Sequence, residues 1–187
     1  MSLRILSGFY KNRAIKMKKE GVRPTLATMR KRIFDILEID EEDTFLDVFA
    51  GSGIMGMEAL SRGAKRAIFF DINPRNLKTI EENLKNMEKI PGSFSCIKTN
   101  SLRPPKGSPV NIIFCDPPYL NGKILPDVVA KLHKYNWIGP KTVVVAETHE
   151  KQIYDLGKCW QLLKTVKQGI SLVNFYILTS HVLDSTL

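Results

Sequence analysis

From Thr44 onward, short apolar runs alternate with amphipathic stretches. Residues 45–49, 67–72, 94–99, 110–115 and 142–146 are apolar runs of strand length. Near-continuous apolar character is what a strand buried on both faces needs. Between these runs, residues 54–62, 74–89 and 125–135 carry apolar side chains at helical spacing. Gly63 stops the first of these helices, and Pro74 lies in the opening turn of the second. Residues 102–109 are rich in proline and glycine and read as a loop. The alternation predicts an α/β fold with a mostly parallel, doubly wound sheet covered on both faces.

The two ends of the chain depart from that rhythm. Residues 160–167 and 170–178 are strand-like runs separated only by Gln168-Gly169. Two residues cannot hold a crossover helix, so these strands should be antiparallel neighbours closing the sheet. At the other end, residues 3–6 and 14–17 suggest a small β-hairpin arm. Residues 21–25 then open a helix with Thr25 as its N-cap. Leu26, Met29, Ile33, Phe34, Ile36 and Leu37 are assigned to its apolar face, and Arg30, Lys31 and Arg32 to the remaining positions. The expected division is a basic arm over residues 1–22 and a single α/β domain over residues 23–187.

At 187 residues the chain is the size of one domain, and 43% hydrophobic with 25% charged residues is ordinary for a globular protein. No apolar run approaches the roughly 20 residues of a membrane span, and no apolar segment follows the basic N-terminus as a secretory signal requires. Cys96, Cys115 and Cys159 are odd in number and lack close spacing. They predict neither a disulfide framework nor a zinc site, and fit a reducing cytoplasm. No His, Cys and carboxylate cluster suggests a metal. His133 and His149 read as surface histidines.

The net charge of +9 is confined to one end. Residues 1–32 hold ten basic residues and one acidic residue, leaving the other 155 residues neutral. A neutral body with a basic arm implies a polyanionic partner gripped through that arm. Arg4, Lys11, Arg13, Lys16, Arg23 and Arg30 are the candidate contacts, with Phe9 and Tyr10 available for stacking on bases.

The candidate chemistry lies in two segments. Asp47, Phe49, Gly51, Gly53 and Gly56 leave the first strand and enter a helix, and Asp71 ends the second strand. The glycines satisfy G-x-G-x-x-G, which alone would suit a dinucleotide. Asp47, late in the first strand, suits a cationic ligand better than a pyrophosphate, and the chain lacks room for a separate substrate domain. S-adenosylmethionine has a sulfonium, an amino group and a ribose diol, and Asp71 can offer two acceptor oxygens to that diol. The second segment, Asp116-Pro117-Pro118-Tyr119, directly follows the fourth apolar run. Its prolines remove N–H donors, leaving carbonyls, a carboxylate and an aromatic face. Those groups can hold an amino group, with Asp116 and the Pro117 carbonyl accepting its hydrogens and Tyr119 stacking on the base.

These segments resemble the Rossmann-like class I amino-methyltransferases. More closely, the chain is similar to the RsmD family, bacterial enzymes that methylate guanine N2 in 16S ribosomal RNA. The resemblance rests on residues 4–8, Arg23-Pro24-Thr25 with Arg30 and Phe34, residues 46–53 running on to 58–64, and residues 116–119. It implies a seven-stranded sheet closed by an antiparallel hairpin. It also implies that Asp47, Phe49, Gly51 and Gly53 line the methionine end of S-adenosylmethionine, that Asp71 holds the ribose, and that Asn100 bonds the adenine. The implied partner is ribosomal RNA or a partly assembled small subunit, met by a cytoplasmic monomer. Read from the residues alone, adenine N6 or cytosine N4 in RNA or DNA remains open as the target, as does a non-catalytic nucleotide-binding module.

Overall fold

The computed structural model describes residues 3–17, 26–87, 92–117, 124–150 and 154–179. They divide into two compact units, Met1–Asn100 and Ser101–Leu187. The first gives strands β5-β4-β3, and the second β6-β7-β9-β8, to one seven-stranded mixed sheet, with β1 (Leu3–Arg4) and β2 (Ala14–Ile15) forming a separate antiparallel pair.

In the first unit, β3 (Thr44–Val48), β4 (Arg66–Asp71) and β5 (Ser93–Lys98) are parallel, with Phe45 opposite Ala67 and Phe69 opposite Cys96. Helices α2 (Ile54–Ser61) and α3 (Pro74–Lys85) make the crossovers that parallel pairing requires. Every residue of α2 is buried. Gly56 on that helix faces Phe69 so closely that a Cβ would enter the ring. Helix α3 is shorter than the expected 74–89. It ends at Lys85, with Asn86 as C-cap donating its N–H to the Glu82 carbonyl, and residues 88–91 lie outside those described. The thiol of Cys96 on β5 is pushed up to about 12, chiefly by burial and then by the Glu81 carboxylate, with Lys85 opposing.

In the second unit, β6 (Val110–Cys115) and β7 (Ile138–His149) are parallel and flanked in sequence by α4 (Ile124–Lys134). The last strands, β8 (Trp160–Gln168) and β9 (Ser171–Leu178), form the antiparallel hairpin expected from the Gln168-Gly169 spacing. Strand β7 begins earlier than expected because the chain absorbs three extra residues in an irregularity, passing from Ile138 opposite Val110 to Val143 opposite Ile112. There the Thr142 hydroxyl donates to the Val110 carbonyl at 2.6 Å and accepts from Gly139 N–H at 2.8 Å. No described helix is long and apolar enough to cross a membrane.

Helix α1 (Ala27–Leu37) has Leu26 as its N-cap, with no side-chain cap bond, in place of the expected Thr25, which lies outside the described residues; it also corrects the assignment of Arg30. Arg30, expected among the exposed cations, is 1% exposed, whereas Leu26 is 55% exposed. Positions 30, 33, 34 and 37 share one helical stripe, so Arg30 points inward with Ile33 and Phe34. A cation so placed must be matched. Its Nη2 donates to the Arg4 carbonyl at 2.6 Å, and its Nε lies 3.9 Å from the Glu58 carboxylate of α2. Burial pulls its pKa below the ordinary value, while Glu58 pulls it back up and Arg62 lowers it further. Glu58 is also wholly buried, and it accepts from Arg62 Nε at 3.0 Å and from Leu6 N–H at 2.8 Å. Arg62 in turn lies 4.9 Å above the Phe34 ring.

Removing one partner of a buried charge pair costs about 3–5 kcal/mol. Glu58→Gln keeps the shape and removes the charge, so a loss in that range is expected from urea denaturation. A midpoint equal to the parent's would show that the carboxylate is not needed.

Candidate active site

The loop leaving β3 has three consecutive alternate positions in the left-handed region: Phe49 at φ 67°, Gly51 at 53° and Gly53 at 72°. For a residue with a Cβ this conformation is strained, and Phe49 adopts it without the freedom of glycine. Gly53 serves as the N-cap of α2, and a Cβ there would meet Ile80 Cγ1 at 2.6 Å. The turn is fixed by Gly53 N–H on the Ala50 carbonyl at 2.7 Å and by Ala50 N–H on the Phe70 carbonyl at 2.8 Å.

Two carboxylates brace this turn. Asp47 is 2% exposed and accepts from Gly56 N–H at 3.2 Å, one of the N–H groups a helix leaves unsatisfied in its first turn. Asp71, at the end of β4, accepts from Gly51 N–H at 2.8 Å and Asn76 Nδ2 at 3.0 Å on one oxygen, and from Asn73 N–H at 2.7 Å on the other. All three donors are neutral. A carboxylate has about four lone-pair directions, so this arrangement leaves about one for a ligand hydroxyl. Two ribose hydroxyls need one donor to give way, and Asn76 is the side chain among them.

Asn76 was not among the residues singled out from the sequence. A first-turn residue five positions after an acidic strand end, behind the Asn73-Pro74 helix start, is the signal that points to it. Asn100 is exposed just beyond β5, two residues past its end. The preceding residue is tied to the same strand end, because Thr99 N–H donates to the Asp71 carbonyl at 3.1 Å.

This part of the first unit fits the chemistry of S-adenosylmethionine. Two buried carboxylates at adjacent parallel strand ends are held by neutral donors, next to a turn whose backbone lacks side-chain bulk at Gly51 and Gly53. Among the described residues there is no group of His, Cys and acidic side chains able to hold a metal.

In the second unit, β6 ends at Cys115, and Asp116 follows half-buried with Pro117 buried. Pro118 and Tyr119 lie outside the described residues, as does Arg23. Of the histidines, His133 is exposed on α4 and His149 ends β7. Arg4, Lys11, Arg13 and Lys16 are exposed along the arm.

A doubly wound sheet closed by an antiparallel hairpin, with a glycine turn and acidic strand ends, defines the class I methyltransferase fold. The solved structure of the yhhF protein of Escherichia coli superposes with a TM-score of 0.83 at 25% identity, covering 96% of this chain and 99% of that one. An RNA methyltransferase of Salinibacter ruber, solved with S-adenosyl-L-homocysteine, shares the fold with a TM-score of 0.65 at 20% identity, over 84% and 95% of the two chains. The Ribosomal RNA small subunit methyltransferase D of Buchnera aphidicola is 32% identical over 165 residues, 86% of this chain and 85% of that protein. Its Haemophilus influenzae namesake is 28% identical over 180 residues, 93% of each. The family described as Conserved hypothetical protein 95 matches residues 3–177. The chain belongs to that family, the RsmD-like S-adenosylmethionine-dependent methyltransferases.

Gly53→Ala joins a left-handed backbone to a collision with Ile80. Loss of S-adenosylmethionine binding by about tenfold or more is expected in calorimetry, together with a lower melting temperature. Unchanged affinity would remove the turn from the cofactor site.

Proposed function

We propose that this protein methylates the exocyclic N2 of a guanine in 16S ribosomal RNA. The observation that carries the reading is the placement of Asp116 and Pro117 directly after β6, in a chain of this family. Two relatives that it matches over most of their length are named as small-subunit ribosomal RNA methyltransferases. That supports small-subunit ribosomal RNA as the substrate class, and guanine N2 as the target is what the resemblance to the RsmD family implies.

S-adenosylmethionine supplies an electrophilic methyl carbon on a sulfonium. The work left to the chain is to hold both reactants and accommodate charge. Asp71 and Asn76 would hold the ribose, and Gly51 and Gly53 would let the backbone approach the methionine end, with Asp47 fixing the turn and Phe49 beside it. Asn100 would meet the adenine. The Asp116 carboxylate and the Pro117 carbonyl would accept the two amino hydrogens of the base, directing the nitrogen lone pair. As that nitrogen becomes cationic, the adjacent carboxylate stabilises it, and its surplus proton passes to water. Pro118 and Tyr119 complete the motif, with the Tyr119 ring as the stacking surface for the base. Arg4, Lys11, Arg13 and Lys16, with Arg23, would grip phosphates. Arg30 takes a different part: it is buried against the arm's own backbone and holds the arm in place.

Two experiments test this. Transfer of tritiated methyl should appear in small-subunit RNA or particles and should be abolished by Asp116→Ala, with cofactor affinity within about threefold of the parent. Incorporation into DNA alone would refute the RNA assignment, and equal loss of transfer and cofactor binding would refute the role of Asp116. Separately, replacing Lys11, Arg13 and Lys16 by glutamine should flatten the dependence of RNA affinity on log salt by about 2, at roughly 0.7 per phosphate contact on single strands. An unchanged slope would show that the arm does not meet phosphate.

A further inference from the structure

Phe9 is 72% exposed, the most exposed large apolar side chain among those described. A single apolar residue at the surface is ordinary, but the backbone beneath this one is unusually well fixed. Its own N–H donates to the Ser61 carbonyl at the end of α2 at 2.7 Å. The next N–H, of Tyr10, donates to the Ser61 hydroxyl at 2.9 Å, and that hydroxyl donates to the Ser7 carbonyl at 2.6 Å. Gly8, at φ 79°, lies so close to the Ser61 carbonyl that any Cβ would overlap it. The tip is closed by Lys11 N–H on the Gly8 carbonyl at 3.2 Å and Arg13 N–H on the Tyr10 carbonyl at 3.0 Å.

The far side of the arm is held as firmly. Lys16 N–H donates to Asn83 Oδ1 on α3, and Asn83 Nδ2 donates back to the Lys16 carbonyl, both at 3.0 Å. The arm therefore holds its exposed ring on a stiff mount. Residues 3–17 contain four basic side chains and no acidic one, and all four are exposed. An exposed, planar, apolar face on a well-fixed segment whose charged side chains are all basic matches the two halves of an unpaired nucleotide, its base and its phosphate. Pre-ordering the backbone beneath the ring also lowers the entropy lost on binding.

We propose that Phe9 is a stacking platform for an unpaired nucleobase of the RNA substrate, separate from the Asp116 segment that handles the reacting base. This rests on the reading that the arm binds RNA. Ser61 is its positioning residue, since that residue's hydroxyl and carbonyl fix the backbone on both sides of the ring.

Fluorescence anisotropy with a short fluorescein-labelled single-stranded RNA tests the proposal, with cofactor affinity measured alongside. Phe9→Ala should weaken RNA binding by about tenfold, the scale of one base–aromatic stack, leaving the salt slope and S-adenosylmethionine affinity as in the parent. Phe9→Leu should be as weak as Phe9→Ala, because it keeps apolar bulk without a π face. Phe9→Trp should bind within about twofold of the parent, and the added indole emission should be quenched on RNA addition. Parent-like binding by Phe9→Ala overturns the proposal. Parent-like binding by Phe9→Leu replaces stacking with a generic apolar contact and overturns it too. If Phe9→Ala binds RNA normally but small-subunit particles poorly, the ring meets protein, not a base. Absence of RNA binding by the parent protein fails the RNA assignment itself, an outcome distinct from any difference among the variants.

Discussion

A carboxylate with no exposed surface must be satisfied from every side, and in the first unit Glu58 sets how the surrounding elements pack. It sits on a helix with no solvent-facing residue. Its partners come from α1, from α2 itself and from the arm: the Arg30 and Arg62 guanidinium groups and the Leu6 N–H. Such a group stabilises little by being present, but it penalises any arrangement that leaves it unmatched. The arm is thus fixed to the helix that follows the glycine turn. The opening turn of that helix answers to Asp47, its middle to Glu58 and its end to Ser61. One short helix links the glycine turn to the basic surface.

Much of this was legible in the sequence, for a simple reason. Strands buried on both faces are written as near-continuous apolar runs, so β3, β4 and β6 are found within a residue or two of their ends, and the edge strand β5, with no buried residue, is found as closely from Phe94, Cys96 and Ile97. The two-residue gap at Gln168-Gly169 forced an antiparallel hairpin, and the hairpin is there. The glycine turn and its acidic neighbours were legible because few residue types tolerate that backbone. Strand β7 was only half visible, since Gly139-Pro140 looks like a boundary until the Thr142 hydroxyl is seen to bridge the irregularity.

Arg30 was misplaced because chemistry overrode geometry in reading it. Arginine in a basic segment reads as a surface cation, yet its spacing from Ile33 and Phe34 puts it on the buried stripe. Its acceptor is a backbone carbonyl, which no side-chain pattern announces. The same blindness hid Asn76 and Ser61. Both act on groups brought near by chain folding: Asn76 lies in no motif, and Ser61 lies within the 58–64 segment of the family resemblance with no role implied there. For Asp71 the residue was legible, but its occupancy was not: three neutral donors already share its oxygens.

The outer strand β8 carries a consequence of another kind. An edge strand offers a row of unpaired backbone groups to any other extended chain. Here nine residues lie at the edge, with Leu162 and Leu163 about half exposed, a combination that invites strand addition. The register breaks between Leu162 and Lys164, and lysines follow at positions 164 and 167. The break twists the edge out of line, and the two ammonium groups would need to be desolvated by an incoming strand. The hairpin that closes the sheet thus also limits its growth, keeping an exposed leucine pair from seeding aggregation.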